Sequence, residues 1–470
     1  MRARRKRPPP VLIPIACSLT LASLDARANG RLPSAHELVF SATDPSFVVI
    51  EATFGLFLSH DTGASFGWVC EPAIGYPSTL SWDPPMGITS TSVLAGTPYG
   101  LSVSTDQGCS WQIMLTASIA DIVVRQDDPH SALALASSYS GRTDAGESAY
   151  LTQVFATHDD GATWTQQGMT VEPDVAVETI DIAPGDPNTM YIGGARTLLG
   201  ADGSVTRTGT VLASTNGGAS YTATEIPLMP IEFESSAFVS AVDPNDPQRV
   251  YVRISQSTGS IATSNVDRLL VSDDGAATFR TVYQAKGALP GFALSSDGSK
   301  LVVGDSAAGV LLATPPVDAG APYSFAFESA AIVECLAWSG GNLYACTRQS
   351  QNQYLEQLGV STNDGLTFSP VFLFGCFSGP LACDSGALAS TCGKELASVQ
   401  ALVGPCSDGD GAAADASAPD SSASDQDAGG ETSRPRASSC GCEAGEAAGE
   451  VGGLSAIGLL VATVLRRRRA

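Results

Sequence analysis

Basic residues are scarce in this chain. Lys and Arg total 25 against 48 Asp and Glu, a formal charge of −23 over 470 residues. Residues 29–406 alone hold 37 acids and 13 bases, net −24. Such a surface repels phosphate backbones, which argues against nucleic acid as a partner. Histidine is scarcer still: His36, His60, His130 and His158 are the four present. His36-Glu37 is followed by Leu38, Val39 and Phe40, so H-E-x-x-H is absent, and with it that class of zinc hydrolase. Residues 29–406 contain no C-x-x-C pair, which argues against a structural zinc site built on cysteine. Gly63-Ala64-Ser65-Phe66-Gly67 matches G-x-S-x-G formally, but that nucleophile needs a strand-to-helix turn. Here the serine stands between two strand-like runs. Long apolar runs are also missing from the C-terminal end, where residues 451–465 fall short of the roughly 20 that cross a bilayer as a free-standing helix.

The two ends nevertheless carry targeting signals. A basic start (Arg2, Arg4, Arg5, Lys6, Arg7), an apolar stretch over 11–24 and Ala26-Arg27-Ala28 read as a signal peptide over 1–28, cut after Ala28. A lipoprotein reading of Cys17 meets Pro14 where a lipobox wants an aliphatic residue. Residues 407–439 are mostly Asp, Ala, Ser and Gly with no aromatic, a disordered acidic linker by composition. Then come Cys440-Gly441-Cys442, the apolar run 451–465 and Arg466, Arg467, Arg468 and Arg469. Extended upstream through Ala447 and Ala448, the run could just span, with the arginines held on the cytoplasmic side. These three parts, in this order over 438–470, resemble the MYXO-CTERM sorting tag of bacterial surface proteins. The resemblance implies a tag over 440–470 with a hydrophobic helix at 451–465, cut near Cys440 or Cys442 by a tag-processing protease. The protein would then be exported and held at the cell surface or outer envelope, its membrane contact made through the C-terminal segment. An ordinary tail anchor is the alternative.

Between the two ends the chain is repetitive, which is the strongest single clue to its fold. Ser59-x-Asp61-x-Gly63-x-Ser65-Phe66 returns around Asp106 and Gly108, Asp159 and Gly161, Asn216 and Gly218, and Asn363 and Gly365. A sixth copy keeps Asp274 but has Ala276 in the glycine position, and a seventh is barely visible over 314–325. Asp or Asn can accept N–H bonds across a tight turn, and glycine permits the positive φ such turns use. Ser or Thr can satisfy further turn groups, while the closing aromatic packs between sheets. The pattern resembles the Asp-box, or BNR repeat, of sialidase-like and other propellers, so these residues are expected to be structural.

Asp44-Pro45, Asp83-Pro84, Asp128-Pro129, Asp186-Pro187 and Asp246-Pro247 each precede an apolar run, and Ser296-Asp297-Gly298 and Gly340-Gly341 take the same place in the last two units. Each unit then reads as strand, turn, strand, loop, strand, box, strand, a four-stranded antiparallel blade. Successive boxes from Asp61 to Asp274 lie 45, 53, 57 and 58 residues apart. The prediction is an all-β, seven-bladed β-propeller over 29–375, closed so that no sheet edge is left to aggregate. Gly/Ser/Thr-rich insertions over 138–148, 197–208 and 255–265 fall between second and third strands of blades three to five. They should cluster on one face and are a candidate binding side. Residues 376–406, with a helix-like run over 395–403, read as a Cys-rich cap or closing segment.

Eight cysteines in an exported chain read as disulfides: Cys70, Cys109, Cys335, Cys346, Cys376, Cys383, Cys392 and Cys406. Cys335 and Cys346 would face each other across a Gly340-Gly341 hairpin, but pairing of one of them within the 376–406 group stays open. Sialidases, which the repeats resemble, grip a carboxylate with three arginines and use a tyrosine nucleophile. This chain has few bases and no Arg-Ile-Pro type motif near the start of the propeller. No catalytic residue, metal site or cofactor is expected, although Asp127-Asp128, Asp159-Asp160 and Asp273-Asp274 could bind calcium. The expectation is a non-enzymatic binding or adhesion propeller presenting a loop face to an extracellular protein or glycan. A glycan-active hydrolase of sialidase-like type and a structural envelope component are the alternatives.

Overall fold

The computed structural model describes residues 32–406 except 145, 201, 203, 230–233, 257–265 and 348–356. The expected signal peptide with Ala28, the acidic linker, and the tag with Cys440 and Cys442 lie outside the described residues. Within them, seven four-stranded antiparallel sheets follow one another, each made of four consecutive strands paired in chain order. They span 35–69, 86–115, 119–167, 175–227, 234–284, 291–329 and 335–372. Their first strands are Ala35–Phe40, Met86–Ile88, Ile119–Val124, Val175–Ile182, Glu234–Asp243, Gly291–Leu294 and Cys335–Ser339. Each contacts the next, and the seventh returns to the first. The molecule is therefore a closed, seven-bladed β-propeller with the first strands innermost.

Burial follows from that arrangement. Second strands are mostly buried where a neighbouring blade covers each side of the sheet, Val48–Ala52 along its whole length. They read as unbroken apolar runs rather than alternating ones. Fourth strands stand at the rim: Gln112–Leu115 is largely exposed. An apolar cluster fills each gap between blades, as with Leu135, Val154, Ile180, Ile192 and Leu212 between blades 3 and 4. Each such side chain contributes roughly 1.5–3 kcal/mol by its burial.

Antiparallel order puts the turn after the first strand and the turn after the third strand on one face. The two turns of a blade are hydrogen-bonded there: Thr62 N–H donates to Ser46 O, Asp160 N–H to His130 O, and Gly217 N–H to Asn188 O. The opposite face carries the turns between second and third strands. There the expected insertions are mostly strand, not loop. Ala132–Arg142 pairs with Ser148–Thr157 out to Arg142 opposite Ser148, and Met190–Leu199 pairs with Val205–Ser214 out to Leu199 opposite Val205. Threonines at 197, 206 and 208 suit a pleated strand despite the loop-like Gly/Ser content around them. The third insertion falls largely on residues outside the description.

One expected turn is misplaced. Asp83-Pro84 precedes the first strand of blade 2, whose own turn is closed by Thr89 N–H donating to Ser92 O at 2.9 Å. The reason is the long connection 70–85 with its short helix Glu71–Ile74, which needs an entry turn of its own. Six of the seven blades carry the repeat turn with full strand pairing, and blade 6, whose repeat is stretched, still forms four strands.

Four disulfides are formed: Cys70–Cys392, Cys109–Cys383, Cys335–Cys346 and Cys376–Cys406. Cys335 and Cys346 are direct cross-strand partners, which resolves the open pairing in favour of the hairpin. Among the described residues no blade combines strands from the two ends of the propeller, and residues 373–406 bridge the closure. Trp68 N–H donates to Gly379 O and Leu381 N–H to Trp68 O, laying this segment alongside the outer strand of blade 1. Gly67 is required at that crossing, since a Cβ there would stand 2.7 Å from Leu381. Phe57, Phe66, Phe372, Phe374 and Phe377 pack ring against ring beneath it. Helices Ala387–Cys392 and Leu396–Val403 complete the strap. Four disulfides suit an oxidising compartment.

Candidate functional site

The repeat turns are built alike. Ser59 Oγ donates to Asp61 Oδ1 at 2.7 Å and accepts Gly63 N–H at 2.9 Å. Asp61 also accepts the Ser65 N–H at 2.9 Å and the Ser65 hydroxyl at 2.6 Å. The same set recurs at Asp106 with Gly108 and at Asp159 with Gly161. Asn216 with Gly218 and Asn363 with Gly365 repeat it through the amide oxygen. Asp274 makes the full set too, although Ala276 fills the glycine position at φ 68°. Bonds from the Ser65 hydroxyl, the Ser65 N–H and Ser59 hold the Asp61 carboxyl down at about 2. These side chains are spent on their own turns.

The central channel is a different environment. Near the repeat-turn face it opens into a cavity of about 460 Å³, within the size range of small-molecule sites. Val39, Phe40, Ile88, Ile122, Val124 and Trp338 give it apolar walls, and Glu37, Arg125, Asp127 and Asp181 stand among them. The carboxylates are engaged in holding blades together. Glu37 accepts Met86 N–H of the next blade at 3.1 Å. Asp121 accepts Ile180 N–H at 2.7 Å, and Asp181 accepts Val242 N–H at 3.0 Å, each again from the next blade. Arg125, the one guanidinium among the lining residues, is held by Asp127 through bonds of 3.1 and 2.6 Å. Its grip lowers the Asp127 carboxyl.

Trp338 stands between this cavity and a recess of about 200 Å³ lined by Ser295, Ser296, Asp297, Ser299 and Lys300. Its indole Nε1 finds no hydrogen-bond partner in the protein, while Lys300 Nζ lies 5.5 Å from the ring centre and is paired with Asp364. An aromatic plate beside hydroxyls and charge can stack on a polar ring.

Two further groups resemble catalytic ones and differ on inspection. Ser90, His130 and Asp160 meet on the repeat-turn face, but hydroxyl and carboxylate both approach the same nitrogen, Nδ1, at 2.8 and 2.7 Å. A relay needs them on opposite nitrogens. The arrangement instead stabilises charge: Asp160 raises His130, and despite burial the bonds from His130 and Ser90 hold Asp160 at about 2. Asp243, at the end of the inner strand of blade 5, is pushed up by burial and accepts Asn245 N–H at 2.9 Å. Arg249 Nη1 lies 3.7 Å from its other oxygen.

Sequence reasoning missed Trp338 and the channel carboxylates. A signal existed: Glu37, Asp121 and Asp181 each stand inside the apolar first strand of a unit, where an acid has no solvent to face. The insertion face holds Tyr139, Leu198, Leu199 and Val205 exposed, with Leu199 N–H donating to Glu147 across the tips of two hairpins.

No family model and no curated protein matches the chain. Among solved structures it is similar to an ancestral GH74 enzyme, at 16% identity and a TM-score of 0.52, covering 72% of this chain and 46% of that one. The RRP9 WD40 repeats (TM-score 0.43, 13% identity, 69% of this chain and 90% of that one) are also similar. So is YCF48 from Cyanidioschyzon merolae (TM-score 0.41, 11% identity, 67% and 93%). This chain spans less than half the length of the GH74 enzyme. The likeness to that enzyme is one of fold: both contain a β-propeller, here of seven blades.

Proposed function

We propose that the protein is an exported, surface-held propeller that binds an extracellular glycan in its central cavity and does not turn it over. In this reading the repeats are Asp-boxes of the BNR type, and the residues from Cys440 onward are a MYXO-CTERM-like sorting tag. The observation that carries the binding reading is the cavity of about 460 Å³ with Trp338 on its wall and a polar recess beyond. Its carboxylates Glu37 and Asp181 already hold neighbouring inner strands, so they support a shaped receptacle more readily than an acid/base pair. The four disulfides support export.

The test is to purify the protein from an oxidising compartment and apply it to an array of glycans and extracellular proteins, scoring retention and released product together. Retention on glycans without release is expected, weakened at least about tenfold by Trp338→Ala, the scale of a lost aromatic anchor. Retention on proteins alone would move the ligand class. Release of sugar from the array would establish a hydrolase reading in place of the first.

A further inference from the structure

The first strand of blade 1 contains a β-bulge. Ala35 pairs with Ala52 and Glu37 with Glu51, leaving His36 as the extra residue. A bulge re-aims a side chain, and this one turns the imidazole into the interior. His36 is 4% exposed and Glu51 on the neighbouring strand 1%. Asp83 arrives from the connection to blade 2, the Asp-Pro pair displaced from its expected turn. One ligand atom from each of the three lies within 4.8 Å of the others. His36 Nδ1 is 3.3 Å from Asp83 Oδ2 and 3.9 Å from Glu51 Oε2, and no hydrogen bond satisfies it.

An imidazole nitrogen without a hydrogen bond faces two carboxylates here. Donors that share a metal at about 2.0–2.2 Å stand roughly 3.3–3.5 Å apart in a tetrahedral shell. The His36–Asp83 separation is of that kind, and Glu51 needs to move by a few tenths of an ångström. One imidazole nitrogen with two carboxylate oxygens suits zinc and its first-row neighbours better than calcium or magnesium, which favour oxygen alone.

We propose that His36, Glu51 and Asp83 form a buried site for a divalent transition cation of the zinc class, joining blade 1 to the connection that leads into blade 2. None of the three lines the central cavity, and the metal count reads this site without any glycan. To test it, the whole chain is stripped with EDTA and dialysed against limiting Zn²⁺, metal is counted by mass spectrometry, and Co²⁺ is substituted to read its visible spectrum. The expected result is one Zn²⁺ per chain, a tetrahedral-type Co²⁺ band, and a thermal midpoint raised by zinc. Glu51→Gln and Asp83→Asn should each weaken binding by more than about a hundredfold, since losing even a partner of a ligand costs ten- to a hundredfold. His130→Ala, on the exposed face, should leave binding unchanged. A wild-type chain that takes up no stoichiometric zinc, or one whose zinc survives both Glu51→Gln and Asp83→Asn, would overturn the proposal. Should either variant fail to fold, the wild-type stoichiometry and the Co²⁺ band still decide it.

Discussion

Blades 3 to 5 and the junction of blades 7, 1 and 2 solve the same packing problem by different means. Blades 3 to 5 have long strands, aliphatic gaps and carboxylates that accept the next inner strand, with no disulfide among the described residues. The junction has an aromatic core and a strap bonded covalently to blade 1 through Cys70–Cys392 and to blade 2 through Cys109–Cys383. The difference follows from the chain itself. In the middle of the ring every blade is tethered to both neighbours, whereas blades 1 and 7 meet far apart in sequence and must recover the entropy of closing the whole ring.

Removing a strap disulfide should therefore have the largest effect. With Cys109–Cys383 in place, Cys70–Cys392 closes only the added stretches 70–109 and 383–392, and its loss through Cys70→Ser with Cys392→Ser should cost about 4 kcal/mol. A shift in the urea midpoint measures this, and an unchanged midpoint would mean that the aromatic core closes the ring by itself.

Asp121→Ala probes the other region. It leaves the N–H groups of Ile122 and Ile180 without their acceptor, at about 2 kcal/mol. If the same denaturation experiment shows no change, the inner carboxylates do not hold blades 3 and 4 together. A smaller gain is expected from Ala276→Gly, which relieves a left-handed backbone in blade 5 and should raise stability by about 1 kcal/mol.

The smallest effect concerns acid. A carboxyl depressed in the folded state contributes stability above its unfolded value, near 3.8, that is lost as pH falls through the folded value, about 2 for Asp61. Turns at Asp61, Asp106 and Asp159 should loosen over that window, while those at Asn216 and Asn363 should not. Amide exchange followed turn by turn from pH 4 to pH 2 separates the two kinds, and Asp61→Asn should make blade 1 behave like blade 4 in that window.

Local chemistry was legible in the sequence, and chemistry made by closure was not. The repeat around Asp61 can be read because serine, aspartate and glycine within eight residues satisfy one another. Seven blades follow from its spacing, and a two-residue turn sets Cys335 opposite Cys346, although the sequence left their pairing open. Cys70–Cys392, separated by 322 residues, depends on where the ring brings blade 1 and the strap together, which no local pattern encodes. The same holds for Trp338 and Asp181, which reach one cavity from blades 7 and 4. Asp83-Pro84 misled because the dipeptide announces a turn without saying between which strands.

The central claim is that ligand is held in the channel on the repeat-turn face, not on the long hairpins opposite. Hydrogen–deuterium exchange with and without the glycan retained on the array tests it directly. Protection over 122–127, 181–184, 294–300 and 338–341 is predicted. Protection confined to the hairpins 132–157 and 190–214 would contradict it and move the binding surface to the insertion face.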